Sequence, residues 1–198
     1  LHEEGRSINS TIDGGFIISG MISSVDDYLP QSIGGNDIWV IKITGNGDKE
    51  WSKRLGGLGS DWPIFAKQTP DQGFIVGGHT DSSDGLIDDN HGDVDCLIYK
   101  LNENGETIWR NCYGGSGQDV LLNFEISNDD NSYVFGARTS SMDTTGDIIG
   151  NHGKSDFWLF SLDLDGKLLR QKCFGGSDID NFGDFKIQND GALVMVGS

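Results

Sequence analysis

The sequence predicts an all-β fold made of repeated, antiparallel, four-stranded units, and three observations predict it. Landmarks recur at one spacing: the doublet Gly-Gly stands at 56–57, 114–115 and 175–176, which are 58 and 61 residues apart. No window carries the sustained 3.6-residue apolar period of a helix, while short runs of β-branched and aromatic residues alternate with Gly, Asn and Asp. Glycine supplies 30 of the 198 residues, about twice its usual ~7%, and proline only 3. Many short strands joined by glycine turns give that composition.

Each element follows from the repeat in chain order. One period reads as four strands, which in the second repeat cover residues 64–68, 73–79, 96–101 and 107–113. Second-strand segments are Gly15-Phe16-Ile17-Ile18-Ser19-Gly20, Gly73-Phe74-Ile75-Val76-Gly77-Gly78, Ser132-Tyr133-Val134-Phe135-Gly136 and Ala192-Leu193-Val194-Met195-Val196-Gly197. Third-strand segments open on Asp37-Ile38-Trp39, Asp95-Cys96-Leu97 and Asp156-Phe157-Trp158, and fourth strands carry Trp51, Trp109 and Arg170 at one register. Between third and fourth strands lie Thr44-Gly45-Asn46-Gly47-Asp48, Asn102-Glu103-Asn104-Gly105-Glu106 and Asp163-Leu164-Asp165-Gly166-Lys167. These are hairpin turns, whose positive φ favours Asn-Gly and Asp-Gly. Asp13-Gly14, Asp71-Gln72-Gly73 and Asp190-Gly191 mark the hairpins between first and second strands.

Four antiparallel strands in about 60 residues is the unit of a β-propeller blade. The blades run near 7–57, 58–115 and 116–176, with a partial blade over 177–198. Three and a half blades fall short of the 4–8 that close a ring. The expectation is an incomplete ring, completed by further blades of a longer chain or by another subunit.

Read as a motif, the unit is D-G-G-F-I-[IV]-x-G, a loop, N-H-G-x-x-D-x-[WL], then K-[IL]-x-x-N-G-[ED]-x-x-W-x-x-x-x-G-G. It resembles the repeats of large secreted Bacteroidetes proteins, which are taken to form β-propellers. Phe16, Phe74 and Tyr133, the triplets Asn90-His91-Gly92 and Asn151-His152-Gly153, and Trp51 and Trp109 carry the resemblance. It departs at the first repeat, which lacks Asn-His-Gly, and at Arg170, where the motif has Trp. The resemblance implies export to the medium or the cell surface and transfers no activity.

Charge removes several function classes. With 31 Asp+Glu against 14 Lys+Arg the formal net charge is −17, so phosphate backbones and anionic membrane surfaces repel the chain. No apolar run approaches the ~20 residues of a spanning helix, so membrane insertion is not expected. A hydrophobic content of 35% is too high for a disordered chain. Cys96, Cys112 and Cys173 are too few for a disulfide framework, and equivalent positions in neighbouring blades lie too far apart to bridge. Free thiols, buried or half-buried, are expected.

The loops between second and third strands, residues 21–36, 81–94 and 141–155, are long, whereas the hairpins are minimal. Long loops on a rigid scaffold are where binding concentrates, so their face is the expected working surface. The second loop holds Asp81, Asp84, Asp88, Asp89 and Asp93, with Gly85 and Gly92. Hard cations take 6–8 oxygens, and Asp81, Asp84, Asp88 and Asp89 are the candidate ligands for Ca2+. The competing reading is solvated loop carboxylates. Asp143, Asp147, Asp26 and Asp27 form thinner versions. Trp62, read as a loop residue between Asp61 and Pro63, joins Asp88, Asp89 and His91 as candidate contacts for a protein or glycan. For His91 and its equivalent His152, bonding of their own turns is the alternative.

Two further series, Asp37, Asp95, Asp156 and Asp61, Asp119, Asp180, keep the period and read as structural acceptors of turn N–H groups. No nucleophile elbow and no phosphate-cradling loop opening a helix is present. The reading is a non-catalytic binding or adhesion module presenting acidic loops. The alternatives are a glycan-active hydrolase with acidic residues in the long loops or further blades, and a spacer without a ligand.

Overall fold

The computed structural model describes residues 3–23, 34–127, 131–142 and 146–198. They form fourteen strands, and no helix occurs among the described residues. The strands are β1 (Glu3–Ser10), β2 (Phe16–Ile22), β3 (Asp37–Ile43), β4 (Lys49–Leu55), β5 (Asp61–Gln68), β6 (Phe74–Thr80) and β7 (Asp95–Leu101). They continue as β8 (Thr107–Tyr113), β9 (Asp119–Ile126), β10 (Tyr133–Thr139), β11 (Asp156–Leu162), β12 (Leu168–Phe174), β13 (Phe182–Ile187) and β14 (Leu193–Gly197). Three sheets have four strands in sequence order, β1-β2-β3-β4, β5-β6-β7-β8 and β9-β10-β11-β12, and β13-β14 form a two-stranded sheet. This all-β, repeated-blade architecture fits a β-propeller.

The glycine turns are where the repeat places them. Gly14, Gly47, Gly105, Gly166 and Gly191 all have positive φ, between 79° and 90°. Asn102 and Asp163 close their turns with side chains that accept from backbone N–H groups two and four residues on. Thus the hairpins that define the blade are locally encoded.

The first strands differ from expectation in one respect. β5 begins at Asp61, not at Ile64, and takes in Trp62 and Pro63. Its ladder with β6 shifts between Pro63 and Phe65, which leaves Ile64 as a bulge residue. Bulges tolerate proline because the ladder is already broken there. The same shift recurs at Arg6 in β1, at Leu122 in β9 and at Gly183 in β13. Likewise β1 begins at Glu3, ahead of residue 7.

The chain divides into two compact units, residues 1–90 with 97–111, and residues 91–96 with 112–198. In the first unit β5 packs against β1, β2 and β3. Asn9 donates to the Ala66 carbonyl at 2.9 Å, and Ala66 N–H donates to Ser7 Oγ at 3.1 Å. Trp51 sets its edge against Phe74 at 5.5 Å and donates from Nε1 to the Glu103 carbonyl. Lys42 and Lys100 are buried yet paired, Lys42 with Asp13 and Glu50 and Lys100 with Asp71 and Thr69. Burying an ammonium requires such partners.

In the second unit β13 packs against β9 and β10. The core is an aromatic stack: Phe124 on Phe135 at 5.1 Å, Phe135 on Phe160 at 5.2 Å, and Trp158 on Phe160 at 4.1 Å. Trp158 is fully buried, while Trp51, Trp39 and Trp109 are half-buried at sheet surfaces. Fully burying such side chains is worth roughly 1.5–3 kcal/mol each, which makes this stack the main apolar anchor of the unit. All three cysteines are buried and unbridged.

Candidate functional site

The loop after β6 is built from its carboxylates inward. Asp81 Oδ1 accepts from Ser60 N–H at 2.5 Å, and Ser82 Oγ accepts from Gly59 N–H at 2.9 Å. Asp84 accepts from Leu58 N–H with one oxygen and from Leu86 N–H with the other, at 2.9 Å. These donors hold the Asp84 carboxyl below its usual range. Ile87 is fully buried and pins the loop's middle, and Asn90 donates to the Ser82 carbonyl at 2.9 Å. The loop is thereby clamped to the turn at residues 57–60.

Asp88 and Asp89 extend from this clamp and share Arg110, whose Nη2 is 3.2 Å from Asp88 Oδ1 and whose Nη1 bonds Asp89 Oδ1. Asp88 is exposed, and Leu86 beside it is 53% exposed. The four candidate calcium ligands therefore serve two kinds of partner: Asp81 and Asp84 accept from backbone N–H groups, and Asp88 and Asp89 bind a guanidinium. Among the described residues no three His, Cys, Asp or Glu side chains are grouped so as to hold a metal ion. Asp26, Asp27 and Asp143 lie outside the described residues.

His91 sits at the end of this loop and does bond its own turn. Its backbone N–H and its Nδ1 both approach Asp95 Oδ2, at 2.8 and 2.7 Å. His152 repeats the arrangement on Asp156 at 3.0 and 2.8 Å. Trp62 is a strand residue of β5, opposite His79 in the ladder and stacked on it at 5.3 Å, rather than a loop residue. Trp62 has no counterpart in the other repeats, so the period did not place it in a strand; here the bulge accommodates Pro63.

The periodic carboxylates accept turn N–H groups, as their period predicts: Asp61 from Gly57, Asp119 from Gly115 and Asp180 from Gly176, at 2.7–2.8 Å. Sequence reasoning missed that the two series meet. A Cβ on Gly114 would lie 2.5 Å from Asp95 Oδ1 and 2.7 Å from Asp119 Oδ2. Gly56 stands in the same way between Asp61 and Asp37, and Gly175 between Asp156 and Asp180. The signal was available: each pair brackets the first glycine of a doublet, where a side chain would push the carboxylates aside.

Asp37, Asp61, Asp95, Asp119 and Asp156 are all fully buried. Burial pushes the Asp61 carboxyl up to about 6, against the pull of bonds from Thr80, Gly57 and Ser82, and the charge of Asp37 adds to the rise. Burial likewise pushes Asp95 up to about 6, offset by His91 and reinforced by Asp119. Asp119 is raised for the same reason. Compensation of these pairs differs along the chain. In the first repeat Arg54 stands 3.5 Å from Asp37. Later repeats put Cys112 and Cys173 at that position and supply His91 and His152 instead. Burial pushes the Cys173 thiol up to about 12, so it contributes no nucleophile near neutrality.

No family model matches the sequence, and no curated protein matches it. Among solved structures the chain is similar to the crystal structure of a puromycin hydrolase, a serine-to-alanine mutant complexed with PGG. The TM-score is 0.50 at 9% identity, and the match covers 98% of this chain and 36% of that one. The chain thus spans about a third of that protein's length, and at this identity the likeness concerns the fold alone.

Proposed function

We propose that the chain is part of a β-propeller, with three complete blades and the opening half of a fourth, belonging to an exported bacterial surface protein. It acts as a non-catalytic binding module that presents acidic loops to a glycan or protein. The observation that carries this reading is the construction of the 81–94 loop. Asp81, Ser82 and Asp84 fix its base, so Leu86, Asp88 and Asp89 project from a rigid support. Preorganised loops lose little entropy on binding. The secretion and surface location rest on the repeat's resemblance alone.

A glycan array probed with the chain and with an Asp88→Asn, Asp89→Asn double variant tests the reading. A subset of glycans should be retained by the parent chain and lost by the variant. Retention unaffected by both substitutions moves binding away from this loop, and retention of no glycan at all favours a spacer. The hydrolase alternative requires two carboxylates facing substrate. Such carboxylates would lie in the long loops or in further blades, because the periodic pairs at Gly56 and Gly114 are buried.

A further inference from the structure

A cavity of about 170 Å3 opens among the hairpins of the first unit, at the far end of β6 from the 81–94 loop. Its walls come from separate parts of the chain: Asp13 in the turn after β1, Glu50 of β4, Gln68 of β5, Gln72 in the turn before β6, and Glu103 and Asn104 in the β7–β8 turn. Buried Lys42 also lines it.

Four of these residues break the repeat. Gln72 stands where other turns have Gly14 and Gly191, and Glu103 where they have Gly45 and Leu164. Glu50 replaces Ile108 and Leu169, and Gln68 replaces Ser10 and Ile126, which hold the same place in the ladder. Gln72 has φ 67° and is the one non-glycine with positive φ among the described residues. A side chain there costs free energy that glycine avoids, and such outliers persist where something else requires them. Residues that build the blades keep the period in this chain. Polar residues that abandon it, one of them strained, converge on one cavity, which is the pattern left by a site used once.

The cavity is rich in acceptors. Lys42 directs its three N–H donors to Asp13 at 2.8 Å, Glu50 at 3.0 Å and the Ile43 carbonyl at 3.2 Å, so it offers none to a ligand. Gln68 is committed as well: its Oε1 accepts from Ile12 N–H and its Nε2 donates to the Gln72 carbonyl. The second Glu50 oxygen, the Glu103 carboxylate and the carboxamides of Gln72 and Asn104 have no other bond among the described residues. Three carboxylates against one ammonium leave two negative charges unmatched. The space is below the roughly 300 Å3 of a drug-sized site, so it takes one side chain or one small molecule.

We propose that this cavity binds a guanidinium group, carried by an arginine side chain of a partner protein or by a small free guanidine. A guanidinium is planar, always charged, and has five N–H donors and no acceptor. It can bond Glu50 and Glu103 together, while the carboxamide oxygens of Gln72 and Asn104 take its remaining donors. A neutral ligand leaves both charges unmatched, and an anion is repelled. A primary ammonium has three donors and holds its water more strongly, so it fits less well.

Two probes carry the group: butylguanidinium for a free molecule, and Nα-acetyl-arginine methylamide for a side chain on a partner's chain. Each is titrated in about 0.15 M sodium chloride and followed by backbone amide chemical shifts. At least one should saturate with a Kd of about 1 mM, with shifts centred on the turns that hold Gln72 and Glu103, and the tighter probe identifies the source. Glu103→Gln should weaken that probe about fivefold, while Glu106→Gln, an equal change of charge in the same turn but outside the cavity, should leave it unchanged. Gln72→Gly should weaken it about threefold yet raise Tm by a few degrees, because glycine relieves the positive φ. No saturation of either probe below about 20 mM, equal weakening by Glu103→Gln and Glu106→Gln, or full binding by Gln72→Gly overturns the proposal. The Asp88→Asn, Asp89→Asn variant should keep its guanidinium binding, so this site and the loop reading fail separately.

Discussion

At Gly114 the backbone passes between two buried carboxylates with no room for a methyl group, since both oxygens lie within 2.7 Å of the Cβ position. Gly114→Ala must displace Asp95 or Asp119 from its donors, and we expect a loss of about 2–3 kcal/mol in urea unfolding. Gly176→Ala, where a Cβ meets nothing within 4 Å, is the matched control and should change little. The same pairs set a pH dependence. Asp61 and Asp95 are held at about 6 in the folded chain against an ordinary 3.8, so the folded state binds their protons more tightly. Their contribution to stability is complete below the ordinary value and is lost as pH rises through about 6. Lowering pH from about 7.5 to about 5 should raise the urea midpoint, through a gain in unfolding free energy on the order of 1 kcal/mol per carboxylate. Asp71 and Asp84 are shifted downward and act oppositely, but only as pH falls below the ordinary carboxylate range. A midpoint that falls between pH 7.5 and 5, or a Asp61→Asn variant with an unaltered slope, contradicts this account.

Strand β4 meets the following hairpin through Trp51, whose ring covers Gly105 and whose edge touches Phe74. Trp51→Ala should cost about 2–3 kcal/mol, less than a fully buried Trp because the ring is half-exposed. Arg110→Ala acts elsewhere, releasing Asp88 and Asp89 while leaving the clamp at Asp81 and Asp84 intact. Exchange within residues 86–90 should quicken while global stability changes by less than about 1 kcal/mol. These elements also show what was legible in advance. Second, third and fourth strands were readable because their apolar residues and turn glycines recur in register. First strands were less so: the bulge position carries Arg6, Ile64, Leu122 and Gly183, four unrelated side chains sharing only a backbone shift. Trp62 was misplaced for that reason, and its stacking on His79 depends on a ladder that sequence spacing does not display. At the loop, the clustering of Asp81, Asp84, Asp88 and Asp89 was visible, but the donors that claim them, Ser60, Leu58 and Arg110, are 21 to 26 residues away in the chain.

Over the whole molecule a net charge of −17 sets like charges against one another, and salt acts on that repulsion unevenly. Repulsion among exposed loop carboxylates is long-ranged and screened within about 10 Å at 0.1 M ionic strength. The favourable ion pairs of Lys42 and Lys100 are another matter, because both ammonium groups are only 3% exposed and bond their partners at 2.8–3.0 Å. Short, buried pairs are screened far less than exposed, distant ones. Exposed pairs that salt does weaken, such as Lys154 with Asp178, are worth little to begin with. The repulsive part of the electrostatics therefore fades first, and raising sodium chloride from about 20 mM to about 500 mM should raise Tm by a few degrees at pH 7.5. Replacing Lys42 by Met removes a pair whose ammonium is buried although its carboxylates are half-exposed, so the variant should lose nearly the same stability at both salt concentrations. A Tm that falls with salt in the parent chain would mean that the favourable pairs are more exposed to solvent than their burial indicates.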